Sequence, residues 1–408
     1  MAKTFIPGGE AVFIADKADT TYILKAGTSL SVMADSAIDA HDAAANRTFL
    51  LNGSISGSNI GIVAGSYFSQ PENLDVRVGA NAYISALNAG VTVYSKHGSI
   101  ANAGTISATA NESKAIYFEG SDGTIENSGS LSAYYGVSVT GDDNSVVNSG
   151  TINTTYKGVF FNTSSGDENS LNNSGVIKAV HPGFATFGVS GDGGNEHITN
   201  SGRIVGDIFL QGGNDTFTSK GGTVKGEIIG GEGSDTYRID SSAFVITEEA
   251  DQSGIDRVYT SASYTVATGI EQTTLTGKAD INLTGTIVSD VLNGNRGDNR
   301  IVGGVGLDYI TGGAGNDRLT GGPGGGVLDT VDIFFFKAHS GHDVVNDFQD
   351  GIDRLNLANY KGIEGFDDLD GHIKQVNDET VVISLLDGDT IRLKNMDLAD
   401  ITAADFQF

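Results

Sequence analysis

Apolar residues recur in short runs in which every second position is apolar, and no long window shows the three-to-four-residue period of an amphipathic helix. One phrase repeats: "NAGTI" at Asn102, "NSGSL" at Asn127, "NSGTI" at Asn148, "NSGVI" at Asn173 and "NSGRI" at Asn200, in steps of 25, 21, 25 and 27 residues. "KGGTV" at Lys220 follows after 20. A second run lies between the phrases: "GVTV" at Gly90, "GVSV" at Gly136, "GVFF" at Gly158 and "GDIF" at Gly206. The pattern predicts strands of three to five residues, separated by Gly/Asn/Ser turns. Strands this short are unstable alone, but repeated once per coil they stack and bury one another. The prediction is all-β, a parallel right-handed β-solenoid. Asn in the turns suits left-handed backbone, and stacked Asn side chains can hydrogen-bond along the axis.

The apolar residue before each phrase defines a column: Ile100, Ile125, Val146, Leu171, Ile198, then Phe217 and Tyr237. Two positions earlier the chain carries Gly98, Gly123, Asn144, Asn169, Glu196, Asp215 and Asp235. This slot changes from neutral to acidic. Carboxylates stacked one coil apart repel unless a cation lies between them.

The turn then reaches its tightest form. Gly303, Gly304, Gly306, Asp308 and Ile310 fit G-G-x-G-x-D-x-U-x, where U is a large apolar residue. Gly312, Gly313, Gly315, Asp317 and Leu319 repeat it nine residues later. A looser copy at Gly294–Val302 has Asn299 in the aspartate slot, and another starts at Gly321 and degenerates in "PGGGVLDT". Glycine allows the positive φ such a turn needs and leaves backbone carbonyls free to face a cation. The aspartate adds a charged oxygen, and the apolar residue starts the next strand. Calcium takes roughly six to eight oxygens in flexible geometry. No thiolate or histidine cluster is near, which argues against zinc. One coil is two nonapeptides, so repeats two apart stack. Asn299 pairs with Asp317 on one side, and Asp308 with the degenerate turn on the other. This nonapeptide is the repeat of calcium-binding β-helices.

Composition agrees. Fifty-eight glycines against 4 prolines in 408 residues favour turns over low-complexity linkers. With no cysteine there is no disulfide framework. The net charge of −27 disfavours nucleic acid and anionic lipid as partners. The N-terminus lacks the apolar core of a signal peptide, and no run reaches transmembrane length.

On these residues the chain resembles the RTX (hemolysin-type calcium-binding) family. The segment from Ser234, "SDTYRIDSSAFVITEEADQSGIDRVYT", is similar to one that often precedes RTX repeats. "VDIFFF" with "GHDVVNDFQDGIDRLNL" resembles the closing motif of serralysin-type C-terminal domains, and "LADITAADFQF" the end of proteins exported by type I secretion. The resemblance implies a β-roll that folds on calcium outside the cell, an uncleaved C-terminal export signal, and calcium roles for Asp332, Asp347 and Asp353. The coils of residues 1–205 are similar to bacterial adhesin and passenger solenoids.

An active site is sought next. None of the seven histidines forms H-E-x-x-H, and "GSISG" at Gly53 has isoleucine where G-x-S-x-G needs serine. Arg77, Tyr94, Lys96 and His97 could serve a polysaccharide lyase or epimerase, or be a solvated face on which Tyr94, Tyr117 and Phe160 recur as a stacking slot. The expectation is a calcium-free solenoid (1–205), a transitional solenoid with acidic turns (206–290), an RTX β-roll (291–340) and a C-terminal β cap with the secretion signal (341–408). Its expected function is that of a secreted, calcium-binding surface, matrix or adhesion protein. Calcium, the type I secretion machinery and extracellular polysaccharide or a cell surface are the expected partners. The alternative is a polysaccharide-modifying enzyme.

Overall fold

The computed structural model describes residues 2–33, 35–41, 45–164, 166–248, 254–322 and 331–408. These form two compact units, Met1–Asp235 with Phe244–Ile246, and Thr236–Ala243 with Thr247–Phe408. No helix among the described residues is long and apolar enough to cross a membrane.

In the first unit each coil gives one short strand to one parallel sheet and one longer strand, or two shorter ones, to another. The apolar column stacks in register: Ile100 on Ile125, Ile125 on Val146, Val146 on Leu171, Leu171 on Ile198 and Ile198 on Phe217. Each of these side chains is at most 1% exposed. Burying such a side chain contributes roughly 1.5–3 kcal/mol, which is how short strands persist.

The phrase asparagines form a buried ladder. Asn102 Nδ2 donates to Asn127 Oδ1, Asn127 to Asn148, Asn148 to Asn173 and Asn173 to Asn200, all at 2.8 Å. The left-handed turn expected for them is not what the structure shows. Each phrase asparagine ends a strand, and none has positive φ. Asparagine is needed for its side chain, since a stacked amide both donates and accepts. In earlier coils the same column holds Leu24, Leu51 and Val78. The column is therefore apolar from Leu24 to Val78 and self-paired from Asn102 to Asn200, and Ser219 follows Asn200 in it.

The second runs are also longer than expected. Residues after the phrase and the Gly-Val run fuse into single strands, Tyr83–Tyr94, Ser130–Thr140 and Thr151–Asn162. A glycine sits at the junction because the backbone of the next coil is too close for a side chain. A Cβ on Gly136 would lie 2.5 Å from the Gly158 carbonyl oxygen.

In the second unit, alternate half-coils go to opposite sheets. Leu292 stacks on Ile310, Ile310 on Phe334 and Phe334 on Leu355 in one sheet. Leu283, Ile301, Leu319 and Val345 stack in the other. Repeats two apart thus pair, giving a parallel β-roll. The second sheet closes with antiparallel strands Thr390–Lys394, Thr380–Ser384 and Ile373–Asn377. Phe406–Gln407 pairs with Leu355–Asn356 at the end of the first.

Candidate metal centre

The ligand slots form columns with one rule: a side-chain oxygen accepts the backbone N–H of the same slot one coil earlier. In the second unit Asp290 N–H donates to Asp308 Oδ1 (2.9 Å), Asp308 to Asp332 (3.0 Å) and Asp332 to Asp353 (2.9 Å). On the other side Asn299 N–H donates to Asp317 Oδ1 (2.7 Å) and Asp317 to Asp343 (2.9 Å). The first unit repeats this. Gly123 donates to Asn144, Asn144 to Asn169, Glu196 to Asp215 and Asp215 to Asp235.

The asparagine and aspartate slots differ in the second side-chain atom. Asn144 Nδ2 donates to Gly120 O, Asn169 Nδ2 to Gly141 O and Asn299 Nδ2 to Ile281 O, at 2.8–3.0 Å. Each amide thereby satisfies a carbonyl of an earlier half-coil or coil. An aspartate oxygen cannot donate. Accordingly Oδ2 of Asp308, Asp317 and Asp343 is buried with no hydrogen bond, as are Asp215 Oδ2 and Glu196 Oε2. The residues themselves are 0–1% exposed. An unsatisfied buried carboxylate is destabilising on the order of several kcal/mol and calls for a cation.

The glycines shape the space around these oxygens. A Cβ on Gly303 would lie 2.3 Å from Asp308 Oδ2, and one on Gly312 the same distance from Asp317 Oδ2. A Cβ on Gly321 would lie 2.1 Å from Asp332 Oδ2. Gly304 (φ 124°), Gly306 (φ 130°), Gly313 (φ 106°) and Gly315 (φ 120°) hold the positive φ that the turn requires. A Cβ on Gly313 would also come within 2.1 Å of Asn295 O.

Burial pushes the carboxyls of Asp308, Asp317, Asp332 and Asp343 up to about 7 and that of Asp353 to about 6. Desolvation is the largest cause in each, partly opposed by the N–H the carboxylate accepts. Glu196 and Asp215 are pushed up by the same cause. The fit to calcium is good: the donors are all oxygen, buried and short of positive charge. Asp290, Asp308, Asp317 and Asp343, with carbonyls of the glycine turns, would hold the ion. The ion would neutralise the stacked charge and tie adjacent coils together.

Asp347 and Asp353 stand differently. Asp347 accepts Gly321 N–H at 3.0 Å and Gly322 N–H at 3.1 Å, and Asp353 accepts Asp332 and Gln349 N–H. Both of their oxygens already have protein donors. Asp332 stacks on Asp308, in the place expected for the degenerate turn. That turn lies outside the described residues from Pro323 to Thr330. Asp298, one position before Asn299, is exposed and belongs to an outer ladder in which its Oδ1 accepts Asn316 N–H at 2.7 Å.

Three acids of these columns escape the motif. Asp290 follows only the first glycine of a nonapeptide, Asp343 follows the interrupted turn, and Glu196 is one methylene longer. The signal in Asp290 and Asp343 is D-x-apolar at a strand start, "DVL" and "DVV". The residues considered for catalysis do not form one site. Arg77 is paired with Asp75 at 2.8 Å on an exposed face. Tyr94 lies in the other sheet, edge-on to Tyr117. His97 is an exposed positive-φ residue 3.5 Å from Asp122. Tyr117 and Phe160 share a column through Ser138, whereas Tyr94 pairs with Glu119, so the expected stacking slot is not continuous.

The second unit is thus a parallel β-roll whose turns are built for an oxygen-seeking divalent cation. Residues 284–328 match the family model of the RTX calcium-binding nonapeptide repeat, in four copies, and these repeats bind calcium. The match begins ahead of Gly294 and includes Asp290. No curated protein matches the sequence. Among solved structures, the chain is similar to the extracellular lipase LipA from Serratia marcescens, with 17% identity and a TM-score of 0.24. The similarity covers 59% of this chain and 45% of the lipase, so the chain spans less than half of that protein.

Proposed function

We propose that this is a secreted protein whose β-roll folds on calcium after type I export and whose first unit works outside the cell as a surface, matrix or adhesion element. The buried, donorless Oδ2 atoms of Asp308, Asp317 and Asp343 carry the reading. Ionised and without a cation, they oppose folding. The glycine-rich turns add backbone entropy to that cost. A chain that stays open until it meets calcium suits passage through a narrow exporter. Extracellular calcium modules bind at about 10⁻⁴–10⁻³ M, weak enough to remain empty inside a cell. Gly303, Gly304, Gly306, Gly312, Gly313 and Gly315 shape the turns in this reading, and Asn299 closes one column. Asp215 and Asp235 extend the calcium array upstream. Asp332 extends it downstream, and Asp347 and Asp353, whose oxygens already accept backbone N–H groups, stand at its edge as secondary ligands, with 341–408 as cap and export signal.

The test is export by a type I system together with circular dichroism. Loss of residues 359–408 should retain the protein inside the cell, whereas loss of residues 2–190 should not. The purified chain should gain β signal on adding calcium. Full export of the C-terminal deletion, or an identical spectrum in EGTA and calcium, would overturn the reading.

A further inference from the structure

The first unit carries a groove that the calcium chemistry does not use. Two adjoining cavities of about 540 and 640 Å³ share Asn111, Tyr134, Thr155 and His181. The groove exists because the strands Ser130–Thr140 and Thr151–Asn162 lose register between Ala133 and Tyr135. A bulge of this kind re-aims side chains, and here Tyr134 and Tyr156 come together instead of alternating in and out. Their rings lie 5.0 Å apart, and Phe187 continues the row 6.0 Å beyond Tyr156. Phe184 stands 73% exposed beside His181, with ring centroids 4.9 Å apart.

We infer that this groove binds a chain of neutral hexopyranose units. The inference rests on the adhesion reading only for its biological setting. Aromatic faces suit the C–H faces of pyranose rings, because they bury apolar area beside positively polarised hydrogens. Amide and hydroxyl groups of Asn111, Asn153 and Thr155 lie along the same groove and can both donate to and accept from sugar hydroxyls. A protein partner would call for a more continuous apolar face. Charge selects among sugars. The chain carries −27, so a polyuronate is repelled. The groove lining holds one acid, Glu112, with Lys178 and His181, and the Lys157 ammonium lies near the Tyr156 and Phe187 rings, so no acidic cluster meets the sugar.

Binding is measured on the purified full chain in calcium by titration calorimetry and by tyrosine fluorescence, which no tryptophan obscures. The probes are cellohexaose, laminarihexaose and mannohexaose, with oligogalacturonate as the anionic counter-probe. At least one neutral hexaose should bind, with little or no affinity for oligogalacturonate. Tyr156→Ala and Tyr134→Ala should each weaken binding about tenfold, roughly 1.4 kcal/mol. Tyr156→Phe should keep most of it, and Arg77→Ala, on the other sheet, should leave it unchanged. Unaltered circular dichroism and melting in each variant separates lost contact from lost fold. No neutral hexaose binding by the folded chain, tighter oligogalacturonate binding, or self-association abolished by Tyr156→Ala would each overturn the inference. If binding holds but cells do not adhere, the adhesion reading alone fails.

Discussion

Asp317→Asn separates the two duties of the ligand slot. The wild-type carboxylate accepts Asn299 N–H through Oδ1, and its Oδ2 has no donor. The variant keeps the acceptor and removes the charge. Its new amide can donate to a carbonyl one coil away, as Asn299 does to Ile281 O and Asn144 does to Gly120 O. Burial raises the Asp317 carboxyl from 3.8 to about 7, roughly three pK units. At about 1.4 kcal/mol per unit, the ionised group opposes folding by up to about 4 kcal/mol at pH 8 without calcium. Asp317→Asn should therefore be more stable than wild type in EGTA. In calcium it lacks a ligand, so its gain from the ion should fall by roughly 2.7 kcal/mol, one site's worth at a hundredfold excess over Kd. Asp298→Asn, on the exposed outer ladder, should alter neither quantity. Asp317→Ala loses the Oδ1 acceptor as well and should fall below Asp317→Asn in EGTA. Urea denaturation followed by circular dichroism, in EGTA and in saturating calcium, gives all these values. A less stable Asp317→Asn in EGTA, or a calcium gain equal to that of wild type, would refute the reasoning.

Acid should partly replace calcium. Asp308, Asp317, Asp332 and Asp343 have folded pKa values raised to about 7, so the folded form holds more protons than the unfolded form between the ordinary carboxylate range and 7. Their stabilising contribution is complete below the ordinary range and is lost as pH rises through about 7. The melting temperature in EGTA should thus fall from pH 5 to pH 8, by less in Asp317→Asn; a flat or rising profile would contradict the burial argument. In the first unit, Asn148→Ala strands a donor on Asn127 and an acceptor on Asn173. It should destabilise that unit by roughly 2–4 kcal/mol, equally in EGTA and in calcium; a loss seen only in EGTA would tie the ladder to the ion.

Stacking made much of this architecture legible. A side chain buried between coils must meet the same kind of side chain above and below, so the requirement returns once per coil as periodicity in sequence. The Ile100-to-Phe217 column, the asparagine ladder and the pairing of Asn299 with Asp317 were all readable for that reason. Coils before Asn102 were not, because Leu24, Leu51 and Val78 fill the ladder column without asparagine and leave no phrase to find. Asp290 and Asp343 were missed because their turns lack the full glycine pattern, while the Asp290 N–H and the Asp343 carboxylate still meet neighbouring slots in space. The sequence thus determined which residues could face a cation. Only the tertiary structure decided which oxygens need one. Asp347 and Asp353 have donors for both oxygens, while Asp308, Asp317 and Asp343 keep one bare. The difference lies in backbone N–H groups supplied from neighbouring coils, whose direction no local spacing fixes.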